Sequence, residues 1–263
     1  MPFADNAGVK LHWRADGNND GPALVLLNSI GTDLHSWNAC MPLLADYYTL
    51  VRMDARGHGR SDAPARDYDL KALASEVVAV MDAAGVARVS VAGVSLGGMI
   101  AMQLALDHPA RVENLVVICS SSAMDAKAWG DRIAAVRKGG TAAIADMAME
   151  RFISHAFDEA NPARVAQIRD GLVAMSKDGY AGAGAAIRDM AIANDLKRIS
   201  QPLLVIAGKR DVSTPFAEHG SVIVERAPRA SAVHVDAGHL AQIEAPGEVA
   251  ALIREFIGRS PDR

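Results

Sequence analysis

Apolar residues recur along the chain with two alternating periods. Val9-Lys10-Leu11-His12-Trp13 switches between apolar and polar positions, which predicts a strand with one face exposed. Asn18-Asn19-Asp20-Gly21-Pro22 then reads as a turn. Ala23–Leu27 is a short continuous apolar run, the pattern of a strand covered on both faces. Further strands are predicted at Leu50–Asp54, Val89–Ala92, Leu115–Cys119, Leu203–Ala207 and Ala232–Val235. Between them the period lengthens. Leu70, Leu73, Val77, Val80, Met81 and Ala84 fall three and four apart, predicting an amphipathic helix that Gly85 stops. A second helix follows Gly97, through Met99, Met102 and Leu106 to His108-Pro109, and a last one runs from about Gly247 to Ile257. Strands alternating with helices imply a mostly parallel central sheet with helices on both faces.

The rhythm breaks from about Ser122 to Ala193. No strand pattern is visible there, while helical patterns can be read at Trp129–Arg137, Ala142–Ile153 and Ala163–Met175. A single crossover between parallel strands needs only about a dozen residues. The excess predicts a helical cap: residues 122–193 inserted into an α/β core made of 1–121 and 194–263.

Composition narrows the function. The chain has 263 residues, 50% of them hydrophobic, and a net charge of −4. No basic tract is present, so a nucleic-acid partner is not expected. The longest apolar runs fall far short of the ~20 residues of a membrane span, and no basic region followed by an apolar run opens the sequence. A cytoplasmic protein without membrane contact is expected. Cys40 and Cys119 lie far apart in apolar surroundings and read as reduced core thiols. No metal-binding motif is seen.

One pentapeptide carries chemistry. Gly93-Val94-Ser95-Leu96-Gly97 fits G-x-S-x-G and lies between a predicted strand and a predicted helix. A sharp turn there lifts the serine hydroxyl above the sheet, at a helix N-terminus whose free N–H groups favour developing negative charge. A serine needs a base, and eight histidines are available. His239 is selected because it follows the last strand in the loop Asp236-Ala237-Gly238-His239, at the carboxyl edge of the sheet. His58, in the turn Arg56-Gly57-His58-Gly59, suits a structural hydrogen-bonding role, and His219 stands in no supporting pattern. Asp211, after Leu203–Ala207, is favoured over Asp236 as the acid that orients the base. The N–H groups of Leu96 and of Ile30, in the loop Asn28-Ser29-Ile30-Gly31-Thr32-Asp33, are the candidate oxyanion donors.

With these residues in place, the chain resembles the α/β-hydrolase superfamily along nearly its whole length. More narrowly it is similar to the 3-oxoadipate enol-lactonases of aromatic catabolism. The narrower match rests on Asn28–Asp33 with His35-Ser36-Trp37, on Asp54-Ala55-Arg56-Gly57-His58-Gly59-Arg60-Ser61, on the elbow with its Gly98-Met99 extension, and on Trp129, Arg132 and Gly179-Tyr180 of the cap. Two departures from that family's pattern stand out: Arg151-Phe152-Ile153 where the family carries Arg-Trp-Phe, and Ile30 where Leu is usual. The resemblance implies an α/β-hydrolase fold, a small-molecule lactone or ester as substrate, and hydrolysis through Ser95, His239 and Asp211 without a cofactor. It also implies a substrate carboxylate, for which Arg132 is the candidate partner, with Trp129 and Met99 as pocket walls. Carboxylesterases, perhydrolases and carbon–carbon bond hydrolases share the same triad, and some receptor-type proteins keep it without turnover. A haloalkane dehalogenase is disfavoured because its nucleophile is Asp, whereas position 95 is Ser.

Overall fold

The computed structural model describes residues 2–258. Eight strands form one sheet in the order β1-β2-β4-β3-β5-β6-β7-β8. They are β1 (Phe3–Asn6), β2 (Val9–Gly17), β3 (Ala23–Leu27), β4 (Thr49–Met53), β5 (Val89–Val94), β6 (Val112–Ile118), β7 (Leu203–Gly208) and β8 (Ala230–Val235). The two pairings made by β2 are antiparallel, and every other pairing is parallel. The first strand is missing from the sequence reading. It joins β2 through Ala7-Gly8, both at positive φ, the two-residue hairpin turn that matches strand twist.

Burial explains which runs were readable. All six residues of β5 and of β7 are buried, as expected of strands covered on both faces, whereas β8 is largely half-exposed at the sheet's edge. Among the described residues, eleven α-helices lie between and after the strands. The short α1 (Met41–Leu44) precedes β4, α2 (Leu70–Ala83) precedes β5, and α3 (Leu96–Asp107) follows it. Asp69 caps α2 by accepting from Ala72 N–H, as an N-cap should. After β7 come α9 (Gly220–Arg226), α10 (Ala241–Glu244) and α11 (Pro246–Gly258).

Between β6 and β7 the chain forms α4 (Ala126–Gly139), α5 (Ala145–Phe152), α6 (His155–Ala160), α7 (Pro162–Ala174) and α8 (Lys177–Asp189). A bridge between Ala123 and Ala191 ties the two ends of this excursion together. The predicted helix Ala142–Ile153 is in fact a 3-10 turn, Thr141–Ile144, followed by α5. The helix α8 has no counterpart in the sequence reading. Its Gly179-Tyr180-Ala181-Gly182-Ala183-Gly184 run is poor helix former, yet every residue of it is buried. Gly179 lies against the backbone of Gly57, and Gly182 against the ring of Tyr68. Small residues are required there because two backbones meet with no room for side chains.

Among the described residues no helix is long and apolar enough to cross a membrane, and no cluster of three metal-ligating side chains occurs. Cys40 and Cys119 are buried free thiols.

Candidate active site

Four loops leave the carboxyl ends of β3, β5, β7 and β8 on the same edge of the sheet, and each carries one element of the site. After β5 comes Ser95, held at φ 54° and ψ −116°. That conformation is costly for a non-glycine residue and persists only where the surroundings enforce it. Here Ser95 N–H donates to Ile118 O at 2.9 Å, and Ser120 Oγ donates to Ser95 O at 2.7 Å. A Cβ on Gly93 would collide with the Gly97 carbonyl, and one on Gly97 would approach the Leu27 carbonyl oxygen to 2.5 Å. The sharp turn therefore needs both glycines. Leu96 begins α3, so its N–H is one of the helix's unpaired donors.

After β7, Asp211 is buried and fully engaged. Its Oδ1 accepts from Ser213 N–H at 2.8 Å and Thr214 N–H at 3.1 Å, and its Oδ2 accepts from Thr214 Oγ1 at 2.7 Å. His239 Nδ1 stands 3.1 and 3.0 Å from the two carboxylate oxygens. Burial raises the pKa of Asp211, but the charge of His239 and the hydrogen bonds from His239 and Thr214 outweigh it. The carboxyl is held well below the usual carboxylate range. An ionised Asp211 keeps the His239 proton on Nδ1, leaving the lone pair on Nε2. Asp236 plays no part in this pair: it is exposed and bonds Arg210 at 2.7 Å.

Two supports of His239 left no trace in the sequence reading. The ring of Phe152 stacks on the imidazole with centroids 5.7 Å apart. Glu244 accepts from Gly238 N–H at 2.9 Å and from Ser154 Oγ at 2.6 Å, bracing the His239 loop against the helical segment. Among the described residues no hydrogen bond closes between Ser95 and His239, a loose arrangement common before substrate binds.

After β3, the loop Asn28–Asp33 is tied to itself. Asn28 Nδ2 donates to Ser29 O at 3.1 Å and to Thr32 O, and Thr32 N–H returns to Ser29 O. Gly31 N–H donates to His58 Nε2 at 3.1 Å, which gives the Arg56-Gly57-His58-Gly59 turn its role. Ile30 N–H has no acceptor among these bonds and remains available.

Ser95, His239, Ile30, Met99, Trp129 and Arg132 all line one cavity of about 570 Å³. Nε and Nη2 of Arg132 are buried without a hydrogen-bond partner. The guanidinium lies 4.9 Å from the Trp129 ring centroid, 5.5 Å from that of Tyr180 and 5.8 Å from that of Phe152. Burial lowers its pKa, a shift that Tyr180 opposes and the like charge of Arg151 reinforces. Arginine nevertheless stays protonated. The cavity thus joins a strained serine, an oriented imidazole and a cation that forms no ion pair among the described residues.

Comparisons with known proteins agree with this geometry. Residues 22–246 match the family model for the alpha/beta hydrolase fold. The chain is 32% identical over 239 residues to 3-oxoadipate enol-lactonase 2 of Acinetobacter baylyi, covering 90% of this chain and 89% of that protein. It superposes on the enol-lactonase from Burkholderia xenovorans LB400 with a TM-score of 0.95 and 31% identity, over 98% of this chain and all of that one. Est816, described as an N-acyl homoserine lactone degrading enzyme, matches with a TM-score of 0.84 and 30% identity over 97% of this chain and 100% of its own. From its sheet order, its serine turn and the family match over most of its length, this chain belongs to the α/β-hydrolase family.

Proposed function

We propose that this α/β hydrolase is a cytoplasmic enol-lactonase, opening the ring of 3-oxoadipate enol-lactone to 3-oxoadipate in the degradation of aromatic compounds. The observation that supports this most is the shared cavity, in which Ser95 and the Asp211-oriented His239 stand with Arg132, a cation that forms no ion pair among the described residues. In this reading Ser95 Oγ attacks the lactone carbonyl while His239 Nε2 takes its proton. The N–H groups of Ile30 and Leu96 hold the oxyanion, an interaction worth ~3–4 kcal/mol per donor in comparable sites. Collapse of the tetrahedral intermediate breaks the ring C–O bond and expels an enolate, which becomes a ketone on protonation. Water, deprotonated by His239, then releases the diacid from Ser95. Arg132 holds the substrate's free carboxylate, Trp129 and Met99 form pocket walls, and residues 122–193 act as a cap over the site. The relatives described as acting on lactones, Est816 among them, support a ring-opening activity.

The test follows loss of the enol-lactone by absorbance beside a panel of plain aryl and alkyl esters. The enol-lactone is expected to have the highest kcat/KM, and Ser95→Ala to lower turnover of every substrate by on the order of 10⁴-fold or more. Plain esters turned over with much higher kcat/KM would make the chain a carboxylesterase instead. Turnover retained in Ser95→Ala would remove the nucleophile from the scheme.

A further inference from the structure

His219 is a second imidazole in the cavity that holds Ser95 and His239, and no step of the proposed hydrolysis uses it. Its tautomer follows from its neighbours. Ser121 Oγ lies 2.6 Å from the Ala123 carbonyl, which can only accept, so the single hydroxyl proton goes there. Ala123 N–H donates back to the same oxygen at 3.2 Å. Ser121 Oγ also lies 2.8 Å from His219 Nδ1. With its proton committed, the hydroxyl accepts this bond, and Nδ1 must carry a hydrogen. A neutral ring with its proton on Nδ1 leaves a lone pair on Nε2. Among the described residues Nε2 has no protein partner, and it is not one of the polar atoms sealed inside the fold.

The charge state supports the same conclusion. Half-burial lowers the pKa of His219. Glu218 and Asp211 oppose that shift, and the His239 and Arg151 charges reinforce it. At neutral pH the ring is therefore uncharged. The cavity then has two unlike polar poles: Arg132, which can only donate hydrogen bonds, and His219, a neutral acceptor.

We infer that His219 is a specificity-determining residue that extends the cavity's range beyond the enol-lactone, which has no O–H or N–H to offer: its Nε2 accepts a hydrogen bond from an O–H or N–H on a further carboxylated ligand. The cavity would then favour carboxylated ligands that also bear a hydroxyl or amide N–H over the same ligands without it. This rests on the reading that the cavity is the substrate site.

Two measurements test it without needing turnover. Long-range ¹H–¹⁵N NMR of ¹⁵N-histidine-labelled protein at pH 7.5 should find His219 as the Nδ1–H tautomer; an Nε2–H ring overturns the inference. Calorimetric titration with 3-hydroxybutyrate and with butyrate should show the hydroxylated acid binding roughly 3–10-fold more tightly, the range of one net hydrogen bond. In His219→Asn, whose amide N–H can still reach Ser121 but offers no acceptor at Nε2, that ratio should fall to about one. Equal affinities in the wild type, a ratio that survives in the variant, or no binding of either acid overturns the inference. Absence of lactone or ester hydrolysis would reject the proposed function alone, because neither readout depends on catalysis.

Discussion

Arg132 carries a charge that forms no ion pair among the described residues. Two of its nitrogens are buried without a hydrogen-bond acceptor, and the rings of Trp129 and Tyr180 pack around its guanidinium. A buried cation in that state is stabilised by an anion that arrives from outside. Arg132→Met should therefore raise KM for a carboxylated substrate roughly 10–100-fold, the range of a charge-assisted hydrogen bond. Its effect on a neutral ester of the same size should be much smaller, and steady-state kinetics on the matched pair would separate the two. His58 permits a second prediction. Its Nδ1 stands 3.1 Å from Arg56 O and its Nε2 accepts from Gly31 N–H, so the folded ring is neutral with both nitrogens used. Burial lowers its pKa, opposed by the hydrogen bond to Arg56 O and by nearby carboxylates. Unfolded His58 takes a proton near pH 6.5, whereas the folded ring resists it. Below about pH 6.5 the unfolded chain binds more protons, so this contribution is complete above that pH and is lost as the pH falls. Melting temperatures measured from pH 7.5 down to 5.5 should drop less steeply in His58→Gln than in the wild type; equal slopes would contradict the assignment. At this scale the placement of Ser95, Asp211 and His239 at the carboxyl edge of the sheet was legible, because each follows a readable strand. The His58–Gly31 and His219–Ser121 bonds were not. Their partners lie 27 and 98 positions apart, and no local pattern links such residues.

Among the elements, the buried central strands were the most legible, because continuous apolar runs have few other uses in a chain of this length. The hairpin strand β1 and the helix α8 were the least. In β1 a four-residue edge strand shows little periodicity, and only Ala4 of it is buried. In α8, glycine contradicts helix propensity because the helix is selected for close approach instead. The Gly57–Gly179 contact gives a direct test of that account. A Cβ on Gly57 would come within 2.6 Å of Gly179 Cα, and one on Gly179 would overlap the Gly57 carbonyl. Gly179→Ala should destabilise the fold by about 1–3 kcal/mol, as overpacking of a close interface does, despite the better helix propensity of alanine. Thermal unfolding would register this as a lower Tm; an unchanged or higher Tm would mean that the two backbones can separate at little cost.

At the level of the whole molecule, the net charge of −4 gives an anionic substrate no long-range attraction. Its recognition must come from short-range contacts within the cavity, where bulk salt penetrates poorly. At physiological salt the screening length is about 8 Å, which affects exposed charges far more than Arg132. Raising ionic strength from about 20 to 200 mM should therefore change kcat/KM for the carboxylated substrate by less than about threefold. A tenfold loss would instead indicate steering by exposed cations on the surface. The alternation of strands and helices made the parallel sheet legible, and with it the edge on which the site would lie. How the five helices between β6 and β7 pack was beyond reach, since it depends on contacts between distant segments.

The seam between Gly57 and Gly179 has one more consequence. Where two backbones touch, no side chain can swing aside or slide, so the helical segment is riveted to the sheet on that side. Met124, Met147 and Val212 line the cavity elsewhere, and Val212 is more than half exposed. Unbranched methionines give that wall room to adapt. Glycine thus fixes one contact of the helical segment, while methionine keeps part of the cavity wall pliable.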